Sequence, residues 1–361
     1  VLNRQKSYFI YLKVISDKNI ISGNTVCNND DGIFILDSRK NNITGNTVCN
    51  NNGDGILLDN SSNNSISSNT VSNNNYEGIL LANSSNNSIT ANNACNNDHG
   101  VTLYDSSNNN TISGNNTCNN NDRGIRILSS CDNNITGNNA CYNNWAGIYL
   151  YDSCNNSVTG NNACYNSDHG IHILSSCDNS VTGNNAYKNN WVGIRLYDSC
   201  NNSITGNNIS NNMYGIRLPH SSNNRITSNN ACNNHYGIRL YYSSSNTISG
   251  NNACNNSNDG ISLWDSCNNK IYLNNLMNNT DNVFSYESTN IWNSPQEIAY
   301  TYDGDACRNY LGNYWADYEG RADADGIGDT HYSIDSKSDE SDDYPLTEPF
   351  ENYVILTSAH T

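Results

Sequence analysis

Six side chains able to hold anions or stack on flat rings recur at one spacing: Arg126, Tyr149, His172, Arg195, Arg217 and Arg239 are 22 or 23 residues apart. Two residues beyond that position come Tyr104, Tyr151, Tyr197, Tyr241 and Trp264. Guanidinium groups pair with carboxylates and sulfates through two parallel hydrogen bonds, and exposed aromatic rings offer flat apolar faces at low entropic cost. The two sets together predict a surface for an acidic glycan. Asp31, Asp54 and Glu77 precede the glycine of three successive units and form a possible carboxylate row. Glycoside hydrolysis needs two such groups at a defined separation, and lyase or epimerase chemistry needs a base beside a charge-neutralising group. The sequence completes neither set, so catalytic residues are unassigned. Asp323, Asp325 and Asp329 alternate with Ala and Gly, the oxygen-rich, turn-forming pattern of a calcium loop.

The spacing of these residues comes from an internal repeat. Gly32, Gly55, Gly78, Gly100, Gly124, Gly147, Gly170, Gly193, Gly215, Gly237 and Gly260 each precede an apolar residue and are separated by 22 to 24 residues. The unit from Gly147, GIYLYDSCNNSVTGNNACYNSDH, holds three short alternating stretches (148–151, 157–159 and 161–164) separated by Asn, Asp, Ser and Gly. No 3.6-residue period survives in it, which excludes a helical-repeat solenoid. Three strands per coil predict an all-β, right-handed parallel β-helix, a pectin-lyase-like solenoid of about 12 coils of 22 to 24 residues. In each Gly-Ile-x-Leu-x segment the x positions alternate with buried ones and are expected to face solvent. At the parallel strand spacing the two x columns would lie side by side over roughly 25 to 30 Å.

Polar residues form columns as regular as the apolar ones. One Asn column runs from Asn24 to Asn274, a second from Asn29 to Asn279, and a third through Asn41, Asn64, Asn87, Asn109 and Asn133 to Asn269; a Ser column runs from Ser38 to Ser266. Stacked amides can donate to one neighbour and accept from the other, so these columns are expected to be structural ladders. Thirteen of the 14 cysteines also align in two columns, with Cys307 standing outside, and no CxxC occurs. Stacking would bring pairs such as Cys131 and Cys154 within the Cα separation that a disulfide spans.

Leu, Ile, Val and Phe make up about 19% of the 361 residues, and the net charge is -17. That balance usually means disorder, but a narrow solenoid needs only a few inward residues per coil. No basic excess suggests a nucleic-acid partner, and no run of ~18 apolar residues suggests a membrane span. Residues 8–15 are interrupted by Lys13 and lack a small-residue cleavage site, so they do not read as a signal peptide. The Val1 start is that expected of a processed or truncated product. The expected organisation is an N-terminal segment or partial first coil (1–19), one elongated repeat domain (20–290) and an acidic C-terminal cap (291–361), the last with a net charge of about -12.

The coil pattern NNSITGNN-x-x-x-NN-x-x-GI-x-L resembles the NosD-type family, whose labels include periplasmic copper-binding and carbohydrate-binding or sugar-hydrolysis repeats of archaeal surface proteins. The tail strengthens the resemblance through Gly312–Tyr318 (GNYWADY), Asp323–Thr330 (DADGIGDT) and Asp342–Leu346 (DDYPL). The resemblance implies an extracellular or cell-surface β-helix module with a polysaccharide or cell-envelope glycan as partner. The alternative it carries is a polysaccharide lyase, hydrolase or epimerase on the same fold. Resembling calcium loops have an Asp where this chain has Arg321, which predicts weak calcium binding. Copper needs clustered soft or imidazole ligands, and 2 Met with 7 scattered His argue against it.

Overall fold

A computed structural model describes residues 12–335 and 340–356. The first half of the hydrophobic segment at 8–15, residues 8–11, and the extreme C-terminus lie outside the described residues. The fold is an all-β parallel β-helix of about 12 turns, divided into two compact units, Val1–Asn179 and Ser180–Thr361. The division therefore falls inside the repeat rather than at its ends.

A representative coil of the first unit contains strands Ala146–Tyr151, Ser157–Thr159 and Asn162–Cys164. Ile148, Leu150, Val158 and Ala163 face inward and are fully buried. Four corners turn in the left-handed region, at Asp152, Asn155, Gly160 and Tyr165. Asn, Asp and Gly reach that region most cheaply, which accounts for the composition. Each strand pairs in parallel with its counterpart one coil away: Ile125 faces Ile148 and Ile148 faces Ile171 in the first unit. In the second unit Ile216 faces Ile238 and Ile238 faces Ile261.

The asparagine ladders are buried and continuous within each unit. Asn69 Oδ1 accepts from both the backbone N–H and the side-chain amide of Asn46, each at 3.0 Å. Its own amide donates to Ile43 O and Asn92 Oδ1, both at 2.9 Å. The third ladder passes through Asn110, not Asn109: Asn87 N donates to Asn110 Oδ1 at 2.7 Å, whereas Asn109 is a left-handed corner. The extra residue of that coil is absorbed at the turn before it, where Ser107 Oγ reaches back three residues to Tyr104 O instead of the usual two.

Carboxylates of the C-terminal segment close the three ladders of the second unit. Asn274 donates to Asn313, whose backbone N–H donates to Asp342 Oδ2 at 2.7 Å. Asn269 donates to Asn290, whose backbone N–H donates to Glu340 Oε1 at 2.6 Å. Asn279 donates to Asn282, whose amide donates to Asp317 Oδ1 at 2.6 Å. An amide ladder ends in an N–H with no next rung, and an ionised carboxylate is an acceptor without a donor of its own. The acidic tail thus supplies what the ladders lack at that end. Beside it, strands Ile298–Tyr302 and Asp305–Asn309 form an antiparallel hairpin over a small core of Tyr300, Leu311, Ile327, Leu346 and Tyr353.

Disulfides join equivalent positions in adjacent coils at Cys27–Cys49, Cys141–Cys164 and Cys232–Cys254, each with Cα atoms 4.6 Å apart, and Cys177 and Cys200 are disulfide-bonded as well. The Cys131–Cys154 bond that stacking would allow is not formed. Cys154 N–H donates to Cys131 Sγ at 3.2 Å instead.

Candidate functional site

The long strand of each coil presents three outward columns, one more than alternation predicts. A Cβ placed on Gly147 would stand 2.6 Å from Ala140 O and 2.8 Å from Asn166 Nδ2, atoms lining the opposite wall. The glycine therefore faces inward, as does the Ile after it. Two consecutive inward positions turn the residue before the glycine outward, beside the x columns. Sequence alternation missed most of this column, although Asp31, Asp54 and Glu77 belong to it.

Four of the expected glycan-binding residues, Arg126, Tyr149, Tyr151 and His172, lie in the first unit. Arg126 Nη1 reaches across one coil to Glu77 Oε1 at 3.5 Å. Glu77 continues the acidic row: Asp31 Oδ1 accepts from Asp54 N–H at 2.9 Å, and Asp54 Oδ1 accepts from Glu77 N–H at 3.0 Å. Burial, helped by the neighbouring Glu77, pushes the Asp54 carboxyl up to about 8, so it is largely protonated at neutral pH. His99 stands between this row and Arg123. Burial, with the nearby Arg126 and Arg123 charges, holds it down to about 3, so its imidazole is neutral.

Tyr149 and His172 do not face solvent as alternation predicted; they are 7% and 3% exposed. The cause is Trp145, two residues before a glycine, whose indole folds over them with ring centroids 5.1 Å from Tyr149 and 5.5 Å from His172. Arg123 lies over the same indole at 3.9 Å and pairs with Asp122 at 2.6 Å. Tyr104 and Tyr151 of the expected aromatic column are open, two coils apart, and Leu128 and Leu174 interrupt the column.

The other six expected residues, Arg195, Tyr197, Arg217, Arg239, Tyr241 and Trp264, lie in the second unit. Arg195, Arg217 and Arg239 occupy facing positions on successive parallel strands. Each guanidinium sits among rings. Arg195 is 5.0 Å from Trp191 and Tyr197, Arg217 is 5.0 Å from Trp191 and 4.8 Å from Tyr214, and Arg239 is 4.9 Å from Tyr236. Tyr214 and Tyr236 stack on each other at 5.0 Å. Neither Arg217 nor Arg239 is in an ion pair among the described residues, and Nε and Nη1 of Arg217 and Nε of Arg239 donate to no protein acceptor. Burial and the adjacent Arg239 charge lower the Arg217 pKa. In the flanking column Pro219 separates Tyr197 from Tyr241, and the neighbouring His220 fills the break: its ring lies 5.8 Å from Tyr197 and 6.0 Å from Tyr241. His220, Trp191, Tyr214 and Tyr236 escaped the sequence reading because they lie just outside the x positions.

In the C-terminal loop both Asp325 oxygens serve the protein. Oδ2 accepts from Asn309 Nδ2 at 2.8 Å and Oδ1 from Ile327 N–H at 3.1 Å, while Asp329 Oδ1 accepts from Arg321 N–H at 2.8 Å. Asp323, Asp325 and Asp329 do not converge: among the described residues no three His, Cys, Asp or Glu side chains form a group able to hold a metal.

The chain belongs to the family described as periplasmic copper-binding protein (NosD), whose profile matches residues 3–123, 107–235 and 162–320. No curated protein matches it. Among solved structures it is similar in fold to the Dettilon tailspike protein, at 18% identity and a TM-score of 0.55, covering 67% of this chain and 59% of the tailspike. It is also similar to the mannuronan C-5 epimerase AlgE4 A-module of Azotobacter vinelandii, at 16% identity and a TM-score of 0.50, covering 79% of this chain and 89% of that one. A mutant of the periplasmic alginate epimerase AlgG matches at 15% identity and a TM-score of 0.50, covering 72% and 77%. The family description names copper, and the residues present do not fit it. His169 and His172 are neighbours, with ring centroids 4.6 Å apart, but both are buried against Trp145, and among the described residues no group of three or more His, Cys, Asp or Glu able to hold a metal includes them.

Proposed function

We propose that this protein is a carbohydrate-binding β-helix module that takes an acidic glycan along the arginine row of its second unit. The observation that carries the reading is the stacking of Arg195, Arg217 and Arg239 on consecutive strands, with neither Arg217 nor Arg239 in an ion pair. Like charges about 4.8 Å apart repel one another. A chain of carboxylates or sulfates laid along the strand-stacking direction would neutralise them in turn. Tyr197, Tyr241 and Trp264 flank the row and offer faces for sugar rings. Two solved structures of similar fold are named a mannuronan C-5 epimerase and an alginate epimerase, which supports a polysaccharide partner.

The setting we infer is extracellular or cell-surface. The family is described as periplasmic, inter-coil disulfides suit an oxidising compartment, and no helix among the described residues is long and apolar enough to cross a membrane. Arg195, Arg217 and Tyr197 replaced together by Ala should abolish retention on an acidic polysaccharide column at low salt while leaving the circular dichroism unchanged. Unchanged retention, or a wild-type protein that no acidic glycan retains, contradicts the proposal.

A second reading, a polysaccharide-active enzyme, draws on the first unit. There a protonated Asp54 adjoins Glu77, and Arg126 could neutralise a substrate carboxylate. New reducing ends or unsaturated products from acidic polysaccharides would establish it.

A further inference from the structure

Past Arg239 the outward face reverses its charge. In the next coil Ser262 takes the arginine position. The column before the glycine, tyrosine at 214 and 236, becomes Asp259 and then Asp281, which face each other in register. Around this change opens a pocket of about 330 Å³ lined by Tyr236, Arg239, Asp259, Trp264, Asp281 and Phe284. Trp264 and Phe284 form its apolar wall with ring centroids 6.2 Å apart and planes inclined by 29°, and Tyr286 backs Trp264 at 4.5 Å. The volume is at the small end for a ligand site and suits one ring-sized group.

A uronate here would bring its charge against two aspartates. A ring whose substituents donate hydrogen bonds would find two acceptors beside an aromatic platform. We propose that this pocket takes a hydrogen-bond-donating sugar residue, so that the glycan on the arginine row is a mixed polymer in which acidic residues adjoin uncharged or amino ones. The inference rests on the arginine-row reading and names its substrate class. Burial raises the Asp259 pKa, with Ser262 opposing, so this carboxyl also retains its proton further toward neutrality than a free one.

The test is a calorimetric titration of the intact chain with two probes of equal charge: hyaluronan oligosaccharides, in which glucuronate alternates with N-acetylglucosamine, and polymannuronate oligosaccharides. The mixed glycan should bind about tenfold tighter, and Asp259→Asn with Asp281→Asn should remove most of that difference. De-N-acetylated hyaluronan oligosaccharides separate the sources: tighter binding than the acetylated form assigns an ammonium group to the pocket, and equal binding assigns hydroxyls. Polymannuronate binding as tightly as hyaluronan, with the double variant unchanged, overturns the pocket while leaving the arginine row intact. If neither probe binds, the arginine row fails and this inference falls with it.

A separate observation concerns four cysteines stacked in consecutive coils of the first unit: Cys95, Cys118, Cys141 and Cys164. Cys141 and Cys164 are bonded, while Cys95 and Cys118 are buried thiols. The contacts repeat along the column: Cys118 N–H donates to Cys95 Sγ at 3.1 Å, Cys141 N–H to Cys118 Sγ at 3.3 Å and Cys164 N–H to Cys141 Sγ at 3.1 Å. Cys118 therefore adjoins the bonded Cys141 from the coil on the other side from Cys164, so its thiolate has a disulfide sulfur as the next residue of the column. We infer that the disulfide migrates along this column. The Cys118 thiolate bonds to Cys141 Sγ, the Cys141–Cys164 bond breaks, and Cys164 leaves as a thiolate that takes up the proton lost by Cys118; no external oxidant is needed. Hydrogen bonding with Cys95 lowers Cys118 to about 7, which populates the attacking form.

Protein held at neutral pH, quenched in acid, unfolded and alkylated with N-ethylmaleimide should yield both Cys141–Cys164 and Cys118–Cys141 peptides by mass spectrometry. Cys118→Ser should yield only the former. Finding only Cys141–Cys164 in the wild type, after long incubation up to mildly alkaline pH, overturns the migration.

Discussion

The Arg217 guanidinium lies 4.8 Å over the Tyr214 ring, a cation on an aromatic face with no carboxylate of the described residues paired to it. Ring contact compensates part of its lost hydration, but it leaves the positive charge uncancelled. Arg217→Ala together with Arg239→Ala should weaken binding of a polyuronate oligosaccharide about tenfold or more. Melting temperature in the absence of glycan should change little, because removing two mutually repelling cations offsets the lost ring contacts.

The acidic row of the first unit should show in the pH dependence of stability. Asp54 has its pKa raised on folding from 3.8 to about 8. Between those values the folded chain binds a proton that the unfolded chain has lost, so its contribution is fully present at low pH and disappears as pH rises toward 8. Asp342, pushed up to about 7 by burial, acts in the same direction over a narrower window. Asp54→Asn should therefore flatten the fall in stability between about pH 4 and 8, read as the difference between wild-type and variant denaturation curves. Parallel curves for the two proteins would contradict the protonated state.

The ladders predict sharply uneven asparagine substitutions. Asn69→Ala strands the buried N–H groups of Asn46 and should cost about 2 to 4 kcal/mol in chemical denaturation. Asn75→Ala, on an exposed amide that meets only Asn52, should stay within about 0.5 kcal/mol.

Glycines divide in the same way. Gly147→Ala puts a Cβ 2.6 Å from Ala140 O and 2.8 Å from Gly170 O and should disrupt the coil. Gly160→Ala meets nothing within 4 Å and costs only the left-handed backbone, about 1 kcal/mol. Ala91 already occupies the equivalent corner at φ 53°. Comparable losses from both substitutions would contradict the inward placement of Gly147.

Repetition made the solenoid legible, because one residue type at one coil position in successive units has few explanations besides stacking. Ladder membership followed for the same reason, except where the added residue at Asp105–Ser106 moved the third ladder from Asn109 to Asn110. The surface was less legible. Alternation correctly set Arg195, Arg217 and Arg239 in one column, but it could not show that Gly147 and Ile148 both turn inward or that Trp145 covers Tyr149 and His172. Nor could composition show which acidic side chains of the tail close the ladders. The carboxylates that close the ladders are Asp317, Glu340 and Asp342, while Asp325 and Asp329 hold their own loop.

The most direct measurement of the central claim is a calorimetric titration of the wild-type protein with an acidic oligosaccharide at low salt and at about 1 M salt, repeated with the Arg217→Ala, Arg239→Ala variant. The arginine row predicts saturable binding at low salt, marked weakening at high salt, where exposed charges are screened beyond about 3 Å, and binding about tenfold or more weaker in the variant. Binding of equal strength in both proteins, or a wild type that takes up no acidic oligosaccharide at low salt, would contradict it.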